Sequence, residues 1–503
     1  MSKADGKKWR HTSPLAALFY LGRIFEAIAK NAVQSLAPLV AFLVASEGSL
    51  ATRIFLGLLA FFTITIIASV VRYWFFRYRI TADSVLIREG VFKKTQLDIK
   101  FDRIQAINTQ QNVVYRYFDL VTVKFDTAGS AKQEGNLPAI KSELAASLKD
   151  RIRRELPIAA TGEDGEEIEE PAVRPILALS RKDMVRIGLS SNRALIFLVL
   201  LGPLMEQLDQ TVEDLVETGA FNLITEGAEV TLVVGGLLAV VAFVGLILFL
   251  MIASILGAFL RYYNFNLVAD DDVLRSTGGL FTRHEHSINL AKVQTLEARQ
   301  NPMLRVFKRF RVRAKQASSG KAGRSKHFII PLCTRDQLPV LDKEIFGDEF
   351  PDIDMRPESD VFQRISIRYV RSRLLLAGVL PALIYIGPLL VLMGPVALLF
   401  LLSIPVTAVI VWMMYRKRGY FTSEKGMVLR RGFIGIRTNA FLHRKVQRIS
   451  VTQTLLQKRK GLATIRFYFA SGTLKLPYVD HELAKQLRDY VLYRVESSQQ
   501  AWH

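Results

Sequence analysis

The chain has 503 residues, of which 50% are hydrophobic, and a formal net charge of +21. Positive charge in that excess points to an anionic partner, a membrane surface or a nucleic acid. One cysteine, Cys333, excludes an internal disulfide framework and any cysteine-based metal cluster, and beside Phe328-Ile329-Ile330 it reads as a buried structural thiol. Residues 1–11 are polar and basic, and Leu15 to Lys30 is amphipathic, interrupted by Arg23, Glu26 and Lys30. No small-residue cleavage site follows, so the first apolar segment is expected to stay in the mature protein.

Apolar runs then mark membrane spans at 32–45, 54–71, 189–205 and 230–260. The stretch 374–415 carries no charge and is too long for one span. Gly394-Pro395 near its middle predicts a turn, which makes two spans of it. Six spans in three hairpins put everything between hairpins on one face. The connection Glu206 to Glu229 has seven acids and no Lys or Arg, whereas Arg72, Arg77, Arg79, Arg261 and Arg416-Lys417-Arg418 follow spans two, four and six. By the positive-inside rule the N-terminus and the segments after each hairpin are expected to be cytoplasmic.

One soluble pattern follows each hairpin. Copy one reads Gly90-Val91-Phe92, Arg103-Ile104-Gln105, Gln111, Arg116 and Leu137-Pro138. Copy two reads Gly279-Leu280-Phe281, Lys292-Val293-Gln294, Gln300, Arg305 and Ile330-Pro331. Copy three reads Gly432-Phe433-Ile434, Lys445-Val446-Gln447, Gln453, Lys458 and Leu476-Pro477. In each copy the first Gln follows the Gly by 15 residues and the second Gln follows by six more, which identifies an internal repeat. Alternation predicts strands at Tyr78–Thr81, Val85–Ile87, Leu120–Phe125, Phe265–Val268, Tyr420–Thr422 and Ala463–Phe469. Helical spacing over Glu143–Glu155 and His481–Val495 predicts a closing helix.

This order of hairpin, Gly-aromatic strand, [Arg/Lys]-[Ile/Val]-Gln, Gln and Pro resembles the bacterial pleckstrin-homology domain of the second type. The threefold arrangement is similar to the YdbT-like membrane proteins of that family (bPH2, DUF304). The resemblance implies a membrane α + β fold: six transmembrane helices, with each hairpin followed by a PH-like barrel of two packed sheets and a C-terminal helix. The expected divisions are an N-terminal segment and hairpin at 1–76, a PH-like domain at 77–157, an acidic linker at 158–175 and a second hairpin at 176–262. A PH-like domain at 263–345, an acidic linker at 346–372, a third hairpin at 373–415 and a PH-like domain at 416–499 complete the chain. Copy two departs from the pattern in its basic strand Arg311-Val312-Arg313-Ala314-Lys315.

Positive charge is concentrated in copies two and three. Arg299 to Lys326 holds ten Lys/Arg and Lys425 to Val479 holds twelve, with no acid in either stretch. Arg305, Lys308, Arg309, Arg430, Arg431 and Arg448 are therefore candidates to meet anionic headgroups or a partner protein. The pairs Arg103/Gln105, Lys292/Gln294 and Lys445/Gln447 either form a ligand rim or satisfy loop backbone groups, since residues two apart on a strand share a face. No catalytic set emerges. His284-Glu285-His286 lacks the four-residue spacing of the helical zinc motif, and Ser319-Gly320-Lys321 lacks the frame of a phosphate loop. Ala470-Ser471-Gly472 reads as a hairpin turn. The expectation is a non-enzymatic scaffold without cofactor or nucleic acid, binding a membrane partner, a second copy or anionic phospholipid. The alternative is a transporter or lipid-handling protein whose PH-like domains form a vestibule.

Overall fold

The structure is a computed structural model that describes residues 9–31, 49–91, 93–127, 135–155, 174–191, 228–270, 273–316, 327–347, 355 and 361–497. In repeat one, β1 (Arg77–Ile80), β2 (Ser84–Glu89) and β3 (Thr95–Lys100) make one antiparallel sheet. The strands β4 (Ile104–Asn112), β5 (Leu120–Thr127) and β6 (Gly135–Lys141) follow, and helix Ser142–Glu155 closes the unit. Repeat two has β7 (Arg174–Ala178), β8 (Asn266–Asp270), β9 (Val273–Gly278) and β10 (Thr282–Asn289), then β11 (Val293–Gln300), β12 (Phe310–Gln316) and β13 (Phe328–Cys333). Repeat three has β14 (Gln363–Arg364), β15 (Gly419–Thr422), β16 (Gly426–Gly432) and β17 (Ile436–Leu442), then β18 (Arg448–Thr452), β19 (Leu462–Phe469) and β20 (Gly472–Asp480). Helices Gln337–Phe346 and His481–Ser497 close these two units.

A short 3-10 turn swings the chain from the first sheet of each repeat to the second: Phe101–Arg103, Leu290–Lys292 and His443–Lys445. Side chains between the sheets make three cores, around Phe101, Phe125 and Ile152, around Leu267, Val312 and Leu341, and around Phe441, Phe467 and Val491. Cys333 belongs to the second core, and burial pushes its thiol pKa up.

The sheets within one repeat are open and do not pair with each other. Instead β4 pairs with β10 of repeat two, and β11 pairs with β17 of repeat three. Two continuous seven-stranded sheets result, in the orders β6-β5-β4-β10-β9-β8-β7 and β13-β12-β11-β17-β16-β15-β14. Domain boundaries shift accordingly. The strand β7 precedes the second hairpin yet joins the sheet of repeat two, and β14 lies in the stretch expected as linker. Arg10 bridges Tyr78 at the corresponding edge of repeat one.

Among the described residues, three helical runs are long and apolar enough to cross a membrane: Ala51–Trp74, Gly245–Tyr262 and Arg368–Arg416. The last is broken where Gly394 takes φ +61°, and there the chain doubles back. The Tyr385 hydroxyl donates to the Phe400 carbonyl at 3.3 Å and meets the Ser403 hydroxyl. The expected spans at 32–45 and 189–205, nearly all of the Glu206–Glu229 connection and the acidic stretch Glu163–Glu170 lie outside the described residues.

The motif glycines have a steric cause. Gly90 and Gly279 adopt φ of +110° and +117°, and a Cβ there would stand 2.0 and 2.1 Å from the carbonyl oxygens of Lys93 and Thr282. At Gly432 it would stand 2.1 Å from the Gly435 oxygen. Gly279→Ala should therefore destabilise the fold by about 1–3 kcal/mol. Gly245→Ala, with nothing within 4 Å of the added carbon, should leave the melting temperature unchanged or raise it; thermal melting of both variants checks the contrast.

Candidate functional site at the repeat junctions and the membrane edge

Both junctions use one register. Gln111 opposes Arg283, and Gln300 opposes Ile436. In each case the second motif Gln faces the residue four beyond the motif Gly. Its amide has a repeated structural task, donating to the carbonyl that opens the next strand region: Gln111 to Leu120 at 3.0 Å, Gln300 to Arg309 at 3.3 Å and Gln453 to Leu462 at 2.8 Å.

The recurrent basic residue ties one repeat to the one before it. Lys292 Nζ donates to the Ile104 carbonyl of repeat one at 3.2 Å, and buried Lys445 donates to the Ala291 carbonyl of repeat two. Burial lowers the Lys292 pKa. Arg103, at the same position of repeat one, is exposed. Lys292 and Lys445 thus satisfy backbone carbonyls, the second of the two roles that the spacing allowed. Gln105 and Gln294 sit at shifts in strand register, which break the simple two-residue alternation. Gln294 is 1% exposed, whereas Gln447 is exposed while its partner Lys445 is buried.

Next to each junction lies a feature that motif reading missed. Short helices Val113–Tyr117, Pro302–Val306 and Leu455–Lys458 follow the second Gln, each capped by a side chain of Asn112, Asn301 or Thr454. They leave large apolar side chains outside: Val113, Val114 and Tyr117, then Met303 and Val306, then Leu455 and Leu456. The second of these turns packs against the end of a spanning helix. Leu304 packs on Ile187 and Ala258, and Asn301 Nδ2 donates to the Ser190 carbonyl at 2.6 Å. The adjoining Gly loop is tied to the helix end by Leu280 N–H to Leu260 O, and it exposes Phe281; Ile434 is exposed in the matching loop of repeat three. Exposed Arg305 and Lys308 flank the second turn, with half-buried Arg309 beside them. The available signal was a capping residue followed by apolar residues directly after each second Gln.

The second junction also carries a row of like charges. Arg311 opposes Arg299, Arg299 opposes Arg437, and Arg437 opposes Arg431, across β12, β11, β17 and β16. Directly opposed like charges cost roughly 0.2–1 kcal/mol each. The Arg299 pKa is lowered by burial first and then by Arg437 and Arg313. The nearby ion pair of Lys315 with Glu297 at 2.8 Å offers partial relief. The same row at the first junction is Thr122, Gln110, His284 and Gly278, without a permanent charge.

A cavity of 830 Å³ opens at that first junction, between Asn108, Lys124 and Asp126 of repeat one and His284, His286 and His327 of repeat two. His284 and His286 stack at 6.0 Å on one face. Glu285 points away to Lys149 Nζ at 2.7 Å, Thr109 Oγ1 at 2.8 Å and Arg275. Among the described residues no group of three or more His, Cys, Asp or Glu could hold a metal ion.

Three open units joined by edge pairing, each returning from apolar helices, match one family model, that of the bacterial PH domain, over residues 30–156, 228–347 and 374–495. The chain belongs to the bacterial PH domain family. It is 25% identical over 410 residues to the UPF0699 transmembrane protein YdbT of Bacillus subtilis (strain 168), covering 79% of this chain and 80% of that protein. It is 31% identical over 84 residues to the UPF0699 transmembrane protein YdbS of the same organism, covering 17% of this chain and 51% of that protein. No solved structure matches it. With its apolar helices, the chain is a membrane protein.

Within this bacterial PH framework the remaining predicted residues separate. Arg430 stacks over Phe362 at 4.5 Å and supports the packing of β14. Arg431 ends the charged row, and exposed Arg448 lies over Tyr468 at 5.2 Å on β18. His284 has its pKa lowered to about 4 by burial, and by His286, Arg261 and Lys124 around it. Its folded pKa lies below the unfolded value of about 6.5, so the native state resists protonation and stability falls as pH drops from 6.5 toward 4. Thermal melting should show a lower transition at pH 5 than at pH 7.5, and His284→Gln should narrow that difference.

Proposed function

We propose that this protein is a non-enzymatic membrane scaffold that holds three bacterial PH repeats, as one row, against an anionic leaflet. The threefold apolar and basic turn, which in repeat two packs against a helix end, carries this reading. Val113, Met303, Val306, Leu455 and Leu456 are exposed beside Arg116, Arg305 and Lys458, which suits an interface where apolar tips enter the headgroup layer and cations stay at its surface. Each Lys or Arg near an anionic surface contributes about 1 kcal/mol, so three such turns together hold a domain row firmly.

The charge asymmetry of the flanks and the reversal at Gly394 support six spans with the repeats on the cytoplasmic side of a bacterial inner membrane. Edge pairing makes the row stiff, which suits a platform for partner proteins. Lipid phosphates are the natural counter-ions for the arginine row at the second junction, whose like charges have no equivalent at the first. A role in envelope maintenance or resistance to membrane-active agents fits such a platform.

A label at Leu455→Cys tests the reading, because Cys333 is 2% exposed and stays unlabelled. In nanodiscs containing anionic lipid, an environment-sensitive fluorophore at 455 should report an apolar setting. Replacing Arg305, Lys308 and Arg309 by Ser should shift a matching label at Val306→Cys toward water. A fully aqueous signal at both positions, indifferent to lipid charge and to salt, would refute the leaflet-docked row.

A further inference from the structure

The rule that joins the repeats leaves two strands unused. Every junction sets the fourth strand of one repeat (β4 or β11) against the long first-sheet strand of the next (β10 or β17). Among the described strands, β3 ends the first sheet of repeat one and β18 ends the second sheet of repeat three. Exposure follows. β11 is buried along nearly its whole length, but Arg448 is exposed and Ile449 to Thr452 are half-exposed on β18. On β3, Thr95, Gln96 and Asp98 are exposed.

We infer that β18 of one chain pairs antiparallel with β3 of a second copy of this chain, continuing the row through a third junction of the same kind. The common register sets the second motif Gln opposite the residue four beyond the motif Gly, and applied here it sets Gln453 opposite Lys94. It then aligns Thr452 with Thr95, Val451 with Gln96, Ser450 with Leu97 and Ile449 with Asp98. No like charges face each other in that alignment, and a Thr–Thr pair is a favourable cross-strand contact. The backbone is correctly presented. The carbonyls of Leu462, Thr464 and Tyr468 face β18, and the register pairs Arg448, Ser450 and Thr452 with Tyr468, Arg466 and Thr464, so strand alternation turns the N–H groups of Ile449, Val451 and Gln453 outward. Arg103 of the second copy occupies the position of Lys292 and Lys445, which clamp the two existing junctions across to the preceding repeat. Both complementary edges belong to one chain, which singles out a second copy as the occupant. Such a head-to-tail contact either closes into a ring or runs on as an array.

The test uses the full chain in membranes, with two tagged populations co-expressed, one carrying Thr452→Cys and the other Thr95→Cys. Mild oxidation should link the two tags in a disulfide dimer, while pairs of Thr452→Cys chains or a Thr452→Cys chain with Lys100→Cys should not link. In mild detergent the wild type should have a mass above one chain. Val451→Pro, which removes an outward N–H alone, should return it to a monomer with an unchanged melting temperature. Should that variant unfold, Val451→Lys provides the same disruption by charge. A monomeric wild type without cross-links, or capture of a different protein by Thr452→Cys in place of the second copy, overturns the inference.

Discussion

The structure depends on strand pairing between repeats. A bacterial PH repeat here is an open pair of sheets, and each exposed sheet edge is a row of unpaired N–H and C=O groups. Four of those edges are satisfied in pairs by neighbouring repeats, through β4 with β10 and β11 with β17. Each junction adds backbone hydrogen bonds worth about 0.5–1.5 kcal/mol apiece, and it buries residues such as Gln294 and Asn439 that stand on a surface in an isolated repeat. Three units tethered to separate helical hairpins thereby become one body.

That body has a direction and an asymmetry. In repeat two the capped turn, the Gly loop and the helix end meet, and exposed apolar tips stand there beside cations. At the first junction the outer row is neutral and opens on a cavity with stacked histidines. At the second, the same row is four arginines. Identical backbone geometry therefore supports two different surfaces, and the difference comes from side chains at equivalent positions: Gln110 against Arg299, His284 against Arg437 and Gly278 against Arg431.

Much of the frame was legible from spacing. The motif glycines marked turns because only they avoid a collision with a carbonyl three residues on. The strands Leu120–Phe125 and Ala463–Phe469 and the helices Glu143–Glu155 and His481–Val495 stood out by period, and all four fall inside observed elements. Spacing left two roles open for the basic/Gln pairs because alternation holds only in a regular strand, and a register shift separates the two residues in repeats one and two. β7 and β14 were missed because they lie before the hairpins whose sheets they join, so nothing local announces them.

The sequence by itself determined that three equivalent units exist, where apolar helices lie and which copies carry the positive charge. These are properties of composition and of short-range period, which covalent order records directly. Only the tertiary structure decided that the units share sheets, that Lys292 and Lys445 are clamps between repeats, and that four arginines stand in one row. The reason is physical: edge pairing joins residues more than a hundred positions apart through backbone groups that every residue carries, so no side-chain pattern encodes it.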